Sequence, residues 1–116
     1  MLVDTSVWID HFRKPHAALS EALQRGSVLV HPFVVGELAC GQLRCRDEVL
    51  GHLGVLPAAS VASHAEVLGL VDVHGLAGTG IGWIDAHLLA SAMIDHVQLI
   101  TSDRSLLKQA ARLGIG

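Results

Sequence analysis

The sequence contains very few aromatic residues and no tyrosine. Phenylalanine and tryptophan make up 3% of the 116 residues, whereas 51% of the residues are hydrophobic, so the core must be built from aliphatic side chains and alanine. This composition favours parallel strands packed between helices over an all-β sandwich. A chain of this length buries about two thirds of its unfolded surface. We therefore predict one α/β domain over residues 1–116 that needs no cross-links.

Cysteine and long hydrophobic runs are also scarce. Cys40 and Cys45 are five residues apart in a predicted helix, which turns their side chains about 140° from each other and disfavours a disulfide or a zinc pair. The richest hydrophobic run, residues 28–35, is interrupted by a histidine and a proline and falls short of the roughly eighteen residues that cross a membrane. Asp4 lies where a signal peptide has its basic start. These absences predict a cytoplasmic protein with no membrane segment.

Basic residues are few and scattered. The chain has eight lysines and arginines and a net charge of −3. Non-specific nucleic-acid binders usually carry a basic patch, so the composition argues mildly against nucleic acid, although a local arrangement of charges can overrule it. The hydrophobic fraction is high for so small a chain and predicts an apolar surface that is covered in a homodimer or by a bound peptide.

Strand-like and helix-like patterns alternate along the chain. The predicted strands are the first three residues, Ser27–Val30, Val55–Leu56 and Val97–Thr101, and the predicted helices begin at Asp4–Ser6 and then cover Ala17–Arg25, Pro32–Arg44, Arg46–Leu53, Ser63–His74, Trp83–Ile94 and Arg104–Leu113. The glycine-rich segment 75–82 lacks the phosphate-loop pattern and is predicted to be a flexible connection. This alternation predicts a parallel sheet in which all strand carboxyl ends lie on one edge.

Four carboxylates are expected at that edge. Asp4 and Asp103 follow strands and Asp85 opens a helix, although N-capping and the helix dipole also explain an aspartate at such positions. Glu37 lies beside Leu38 on the apolar stripe of the third helix, where an unpaired glutamate is almost never buried; the alternative is a glutamate that reaches solvent at the edge of the stripe. Crowded carboxylates repel one another unless a cation neutralises them. An all-oxygen cluster is typical of Mg²⁺ or Mn²⁺, so we interpret the four acids as a metal site.

Four segments occur in a familiar order. They are Leu2–Ser6, Glu37 within an apolar helix, Trp83–Ala92 and Leu99–Arg104. Together they resemble the four acidic motifs of PIN-domain ribonucleases, and more narrowly those of the VapC-type toxins of bacterial toxin–antitoxin pairs. The resemblance covers essentially the whole chain. The D-T-S start is a weak signal alone, whereas the D-A-x-[LI]-[LI]-A and T-x-D segments in sequence with it are fairly specific.

The resemblance implies a three-layer α/β/α fold with strand order 3-2-1-4-5, a Mg²⁺- or Mn²⁺-dependent endoribonuclease activity, and control by a cognate VapB-like antitoxin that covers the acidic pocket. The catalytic and metal-binding acidic positions, direct or through water, fall on Asp4, Glu37, Asp85 and Asp103. The hydroxyls that support them fall on Thr5, Ser6 and Thr101. Family members often have a fifth strand, which is expected to be short or missing after Leu113.

A mechanism follows from the oxygen cluster. A metal-activated water that attacks in line leaves a 5′-phosphate and a 3′-hydroxyl. Two histidines such as His11 and His87, acting as base and acid, would instead leave a 2′,3′-cyclic phosphate; His31 is also near the acidic motifs in sequence. We favour the metal. The candidates for binding the RNA backbone are Arg13, Lys14, Arg104 and Lys108, because they flank the acids in sequence. A basic face that is simply exposed to solvent explains these residues equally well.

Two other functions remain open. A doubly wound phosphotransfer or phosphatase domain has a similar sheet, but a phosphatase of that class wants a second aspartate two residues after the first, and here Thr5 and Ser6 follow Asp4. A catalytically dead RNA- or protein-binding module of the same fold is the second alternative, and the complete set of four acids argues against it.

Overall fold

Seven helices and two very short strands make up the fold, in a computed structural model that describes residues 1–116. The strands are β1 (Leu2–Val3) and β2 (Leu99–Ile100). The helices are α1 (Thr5–Arg13), α2 (Ala17–Gln24), α3 (Pro32–Cys40), α4 (Arg46–Gly54), α5 (His64–Val73), α6 (Trp83–Asp95) and α7 (Arg104–Arg112). None of these helices has the length and hydrophobicity needed to cross a membrane.

The two strands lie side by side in parallel at the centre of the molecule. Leu2 is opposite Leu99 and Val3 is opposite Ile100. Leu2, Val3 and Leu99 are no more than 1% exposed, which is the pattern of a parallel sheet covered by helices on both faces. The architecture is therefore the three-layer α/β/α class predicted from the sequence.

Three further extended segments continue this pair outward. Leu29 forms a parallel bridge to β1, and Val30 forms one to Ala58. On the other side, the Leu99 N–H donates to the Ile115 carbonyl over 2.7 Å. The spatial order is therefore 3-2-1-4-5, as the family resemblance implies. Its fifth position is short, as expected, and is held by this one backbone hydrogen bond.

Two predicted boundaries are wrong. The third strand was expected at Val55–Leu56, but these residues form the turn that closes α4, and Ala58 makes the pairing instead. Val55 is 82% exposed, so its hydrophobicity does not indicate a buried strand. The third helix ends at Cys40 rather than Arg44, because the backbone of Gly41 is extended (ψ 179°) and its N–H bonds back to the helix.

The shorter third helix also separates the two cysteines. Cys40 is the last residue of α3, and Cys45 precedes α4 in a left-handed conformation with φ of 52°. The two cysteines are therefore not in one helix as predicted, and both are free and exposed.

The helix α6 forms the centre of one helical layer. Its residues from Ala86 to Ala92 are all buried, so this helix is covered on several sides. α5 packs against it and begins with a capping box: Ser63 Oγ accepts from the Glu66 N–H at 3.1 Å, and Glu66 Oε1 accepts from the Ser63 N–H at 2.9 Å. These hydrogen bonds lower the pKa of the Glu66 carboxyl.

Candidate active site

Asp4 lies where β1 gives way to α1. Its Oδ1 accepts a hydrogen bond from the Thr5 N–H at 2.7 Å. Its Oδ2 accepts from the hydroxyls of Ser6 at 3.1 Å and Thr101 at 2.7 Å. Asp4 is only 7% exposed, and a buried carboxylate is tolerated when donors of this kind replace its water. The side chain of Asp4 therefore caps helix α1 and also belongs to the candidate site.

Thr5 connects Asp4 to Glu37. The Thr5 hydroxyl donates to Glu37 Oε1 at 2.7 Å, which ties α3 to the edge of the sheet where α1 begins. Glu37 itself is exposed, so of the two alternatives the glutamate that reaches solvent at the edge of the stripe is correct, and the Thr5 hydroxyl is its partner. Val34 and Leu38 occupy the buried face of α3, and Glu37 lies about 100° from Leu38 around the helix.

Asp103 and Asp85 lie at the starts of α7 and α6. Asp103 caps α7, because its Oδ1 accepts from the Leu106 N–H at 2.9 Å, and its own N–H donates to the Thr101 hydroxyl at 3.0 Å. Asp85 Oδ2 accepts from the Gly82 N–H at 3.0 Å. In both carboxylates the second oxygen has no protein donor. The same holds for the second oxygen of Glu37.

The four carboxylates affect one another electrostatically. Burial raises the pKa of Asp85, the Gly82 N–H opposes that change, and the negative charges of Asp4, Asp103 and Glu37 raise the pKa further. All four acids are therefore within electrostatic range at one edge of the sheet, as the topology predicts. No basic side chain contributes to this pKa, so the local field is negative and favours a cation.

The carboxylate oxygens of the four acids are chemically suited to a hard divalent ion, but they do not surround a common point. No three His, Cys, Asp or Glu side chains are already arranged as ligands of a common point. The free oxygens of Glu37 and Asp103 belong to exposed side chains, which can turn toward Asp4 and Asp85. Oxygen ligands with several positions left to water are what Mg²⁺ prefers. The chemistry of these residues therefore suits Mg²⁺ or Mn²⁺.

The four predicted RNA-contacting side chains are exposed but are not gathered together. Arg104 directly follows Asp103 at the start of α7, and Lys108 lies one turn further along. Arg13 and Lys14 are at the opposite end of α1 from Asp4, about 13 Å away along the helix. The structure therefore places Arg104 next to Asp103 in the chain, and it places Arg13 in a groove that Glu37 also lines.

One basic residue near the acids escaped the sequence prediction. A groove of about 810 Å³ is lined by residues from α1, α3 and the α3–α4 connection, and Glu37, Arg13 and Arg44 all line it. The sequence predicts Arg44 as the last residue of a helix, and its place in a turn depends on the early end of α3. No local signal in the sequence indicates this position.

The histidines near the acidic motifs are not placed as an acid–base pair. His31 is fully buried and its Nδ1 accepts from the Phe33 N–H at 3.0 Å, while His87 is 4% exposed. Burial lowers the pKa of His31 to about 4 and also lowers the pKa values of His87 and His11. His11 lies in the last turn of α1, away from Asp4. The burial of His31 and His87 disfavours the histidine route.

The buried His31 makes folding stability dependent on pH. Between pH 6.5 and about 4 an unfolded chain binds a proton on this side chain that the folded chain does not, so stability falls as the pH is lowered through this range. The expected loss from His31 is about 3 kcal/mol by pH 4. Urea unfolding between pH 7 and 4.5 measures it. His31→Asn keeps a capping acceptor and should show a clearly smaller pH dependence; an unchanged slope would contradict the assignment.

The chain is similar to known proteins over nearly its whole length. The family model for the PIN domain matches residues 1–113. Ribonuclease VapC32 from two strains of Mycobacterium tuberculosis is 43% identical over 116 residues, which cover 99% of this chain and 94% of that relative. All four acidic residues, from Asp4 to Asp103, lie within the matched range.

Proposed function

Because this chain belongs to the PIN-domain family and to its VapC-type ribonucleases, we propose that it is a Mg²⁺- or Mn²⁺-dependent endoribonuclease toxin, formed by one domain and neutralised by a cognate VapB-like antitoxin. The observation that carries the metal-dependent chemistry is the convergence of four carboxylates, three of which act on the pKa of Asp85. Each phosphodiester of RNA carries one negative charge, so its approach to such a cluster is strongly opposed unless a cation lies between them.

The carboxylates of Asp4, Asp85, Asp103 and Glu37 would hold the ion, directly or through water. When bound, the ion supplies a water nucleophile at neutral pH and neutralises charge on the scissile phosphate. The hydroxyls of Ser6 and Thr101 fix Asp4, and the hydroxyl of Thr5 fixes Glu37. These hydroxyls hold the acids in place in the absence of substrate, which reduces the reorganisation that the reaction requires.

Hydrolysis by this route breaks the bond between phosphorus and the 3′-oxygen. The products are a 5′-phosphate on one fragment and a 3′-hydroxyl on the other, with no role for the ribose 2′-hydroxyl in the chemical step. The burial of His31 and His87 supports this route over the histidine alternative, because a general acid or base must reach the reacting atoms.

An assay on total cellular RNA tests the proposed function. The purified chain should fragment the RNA in the presence of Mg²⁺ and should release no inorganic phosphate from a phosphomonoester. Binding of RNA without fragmentation would instead identify a dead binding module, and phosphate release would identify a phosphatase. Mapping the cleavage sites after brief induction in cells identifies the RNA that is cut.

The groove beside Glu37 is a suitable place for the antitoxin. Its lining combines exposed apolar side chains such as Ile9 and Phe12 with Arg13 and Arg44, so an apolar segment that also carries a carboxylate could fill it and cover Glu37. Activity on cellular RNA and control by an antitoxin would both require a cytoplasmic location, which we propose for this chain.

The exposed apolar surface supports a homodimer. Ten large hydrophobic side chains are more than a third exposed, among them Val55 at 82%, Val73 at 79% and Val61 at 53%. Surfaces of this kind are usually covered by a partner. Sedimentation velocity at micromolar concentration should therefore give about twice the 12.3 kDa chain mass. A stable monomer without antitoxin would contradict this prediction.

A further inference from the structure

Two exposed aromatic side chains lie at the starts of the helices that carry Glu37 and Asp85. Phe33 is the second residue of α3 and is 37% exposed, and Trp83 is the first residue of α6 and is 39% exposed. Phe33 precedes Glu37 by one helical turn, so the two residues lie on the same face of α3. The chain has only two phenylalanines and two tryptophans, so half of its large aromatic residues are beside the acidic edge.

A buried histidine holds the two exposed rings in place. The His87 ring lies 4.7 Å from the Phe33 ring and 4.9 Å from the Trp83 ring, at interplanar angles of 62° and 86°. These are edge-to-face contacts of the favourable kind. His87 is part of the buried segment of α6, so Phe33 and Trp83 are anchored to one rigid element. We refer to Phe33, His87 and Trp83 as the aromatic cluster.

We propose that the aromatic cluster binds an unpaired nucleobase of the RNA next to the phosphate that is cleaved. This inference rests on the proposed ribonuclease function and adds a subsite to it. Aromatic side chains stack on bases of any sequence, and the bases of single-stranded RNA are free for such contacts. The subsite therefore selects single-stranded RNA rather than a particular base.

The charge distribution supports a base as the occupant. The acidic edge repels the RNA backbone, and few basic side chains lie near it: Arg104 follows Asp103 in the chain, and two arginines line the groove beside Glu37. Contacts that carry no charge therefore add affinity close to the scissile phosphate. The exposed rings of Phe33 and Trp83 are contacts of that kind, and they belong to the same helix starts as two of the four acids.

Steady-state cleavage of a single-stranded RNA tests the proposal. Phe33→Leu and Trp83→Leu should each raise KM roughly tenfold, which is within the range for loss of one stacked base, and should leave kcat nearly unchanged. Phe33→Trp and Trp83→Phe keep an aromatic ring and should keep the wild-type KM. The matched control is Leu68→Ala, which removes a 46% exposed apolar side chain from α5 and should have no effect.

Tryptophan fluorescence provides a readout that does not depend on cleavage. A short oligouridylate added with Mg²⁺ to the inactive Asp103→Asn chain should quench its emission, and the quenching should disappear when Trp83→Phe is added to that variant, because the remaining Trp8 is 2% exposed. The same oligomer without bases should not quench. This measurement also applies if a leucine variant fails to fold.

The outcomes separate this proposal from the proposed function. A wild-type chain that cleaves RNA, with unchanged KM in both leucine variants and no quenching, overturns the base subsite alone. A wild-type chain that cleaves no RNA overturns the proposed function, whatever the fluorescence shows. If the leucine variants convert a dimer into a monomer without changing RNA affinity, the cluster is a contact between copies of the chain and the proposal is wrong.

Discussion

Asp4→Asn should lower kcat/KM for RNA cleavage by about a thousandfold or more, because it removes the most buried of the four acids from the cation site. The amide keeps one oxygen, which can still accept the Thr5 N–H, so the cap of α1 is retained. The lost feature is the negative charge and the second acceptor oxygen, to which the Ser6 and Thr101 hydroxyls donate. The effect should therefore be on catalysis rather than on folding.

Thermal unfolding provides the necessary comparison. Asp4→Asn should unfold within a few degrees of the wild type or above it, because removing one of several crowded negative charges relieves repulsion in the metal-free protein. Asp10→Asn is the matched control, since Asp10 is an exposed residue of the same helix and should leave activity unchanged. A fully active Asp4→Asn protein would overturn the site assignment. Asp103→Asn should reproduce the loss of activity.

Chelation should stop cleavage completely, and addition of Mg²⁺ or Mn²⁺ should restore it. The reason is that the four carboxylates repel both one another and the substrate phosphate unless a cation lies between them. The fragments formed with metal should carry 5′-phosphates and 3′-hydroxyls, so they should be joined by an RNA ligase without prior phosphorylation. Chemical analysis of both fragment ends measures the outcome.

A substrate with a single 2′-deoxyribose at the cleavage position sharpens this experiment. Metal-dependent hydrolysis does not use the 2′-hydroxyl as a nucleophile, so this substrate should still be cut. The metal mechanism would be contradicted if cyclic phosphate ends formed in EDTA and the deoxy substrate resisted cleavage. These results would move the catalytic roles to His11 and His87, and the burial of His87 would then have to change when RNA binds.

The positions of Asp4 and Asp103 could be predicted from the sequence because they depend on local rules. Each aspartate follows an apolar strand and precedes a helix, and parallel topology brings such junctions to one edge. The hydroxyls of Thr5, Ser6 and Thr101 follow for the same reason, since they are neighbours of those junctions. The central strand pairing is likewise determined by two apolar segments at opposite ends of the chain.

The features that could not be predicted depend on contacts between distant elements. The exposure of Glu37 depends on how α3 is rotated about its axis when it packs on the core. Val55 is a hydrophobic residue of the kind that is common in strands, but it lies exposed in a turn. The packing of Phe33 and Trp83 on His87 joins two helices that are fifty residues apart in sequence. Periodicity gives the face of a helix only when the stripe is pronounced, and α3 has a weak stripe because Gly36 and Ala39 interrupt it with small side chains.

The hydrogen bond between the Thr101 hydroxyl and Asp4 spans 97 positions of the chain. During synthesis the first strand leaves the ribosome long before its central partner, Leu99–Ile100, exists, so β1 cannot be paired on that side until β2 has also emerged. The acidic edge is consequently completed only after residues 99–103 have been made. We therefore expect a nascent chain that ends before these residues to have no ribonuclease activity.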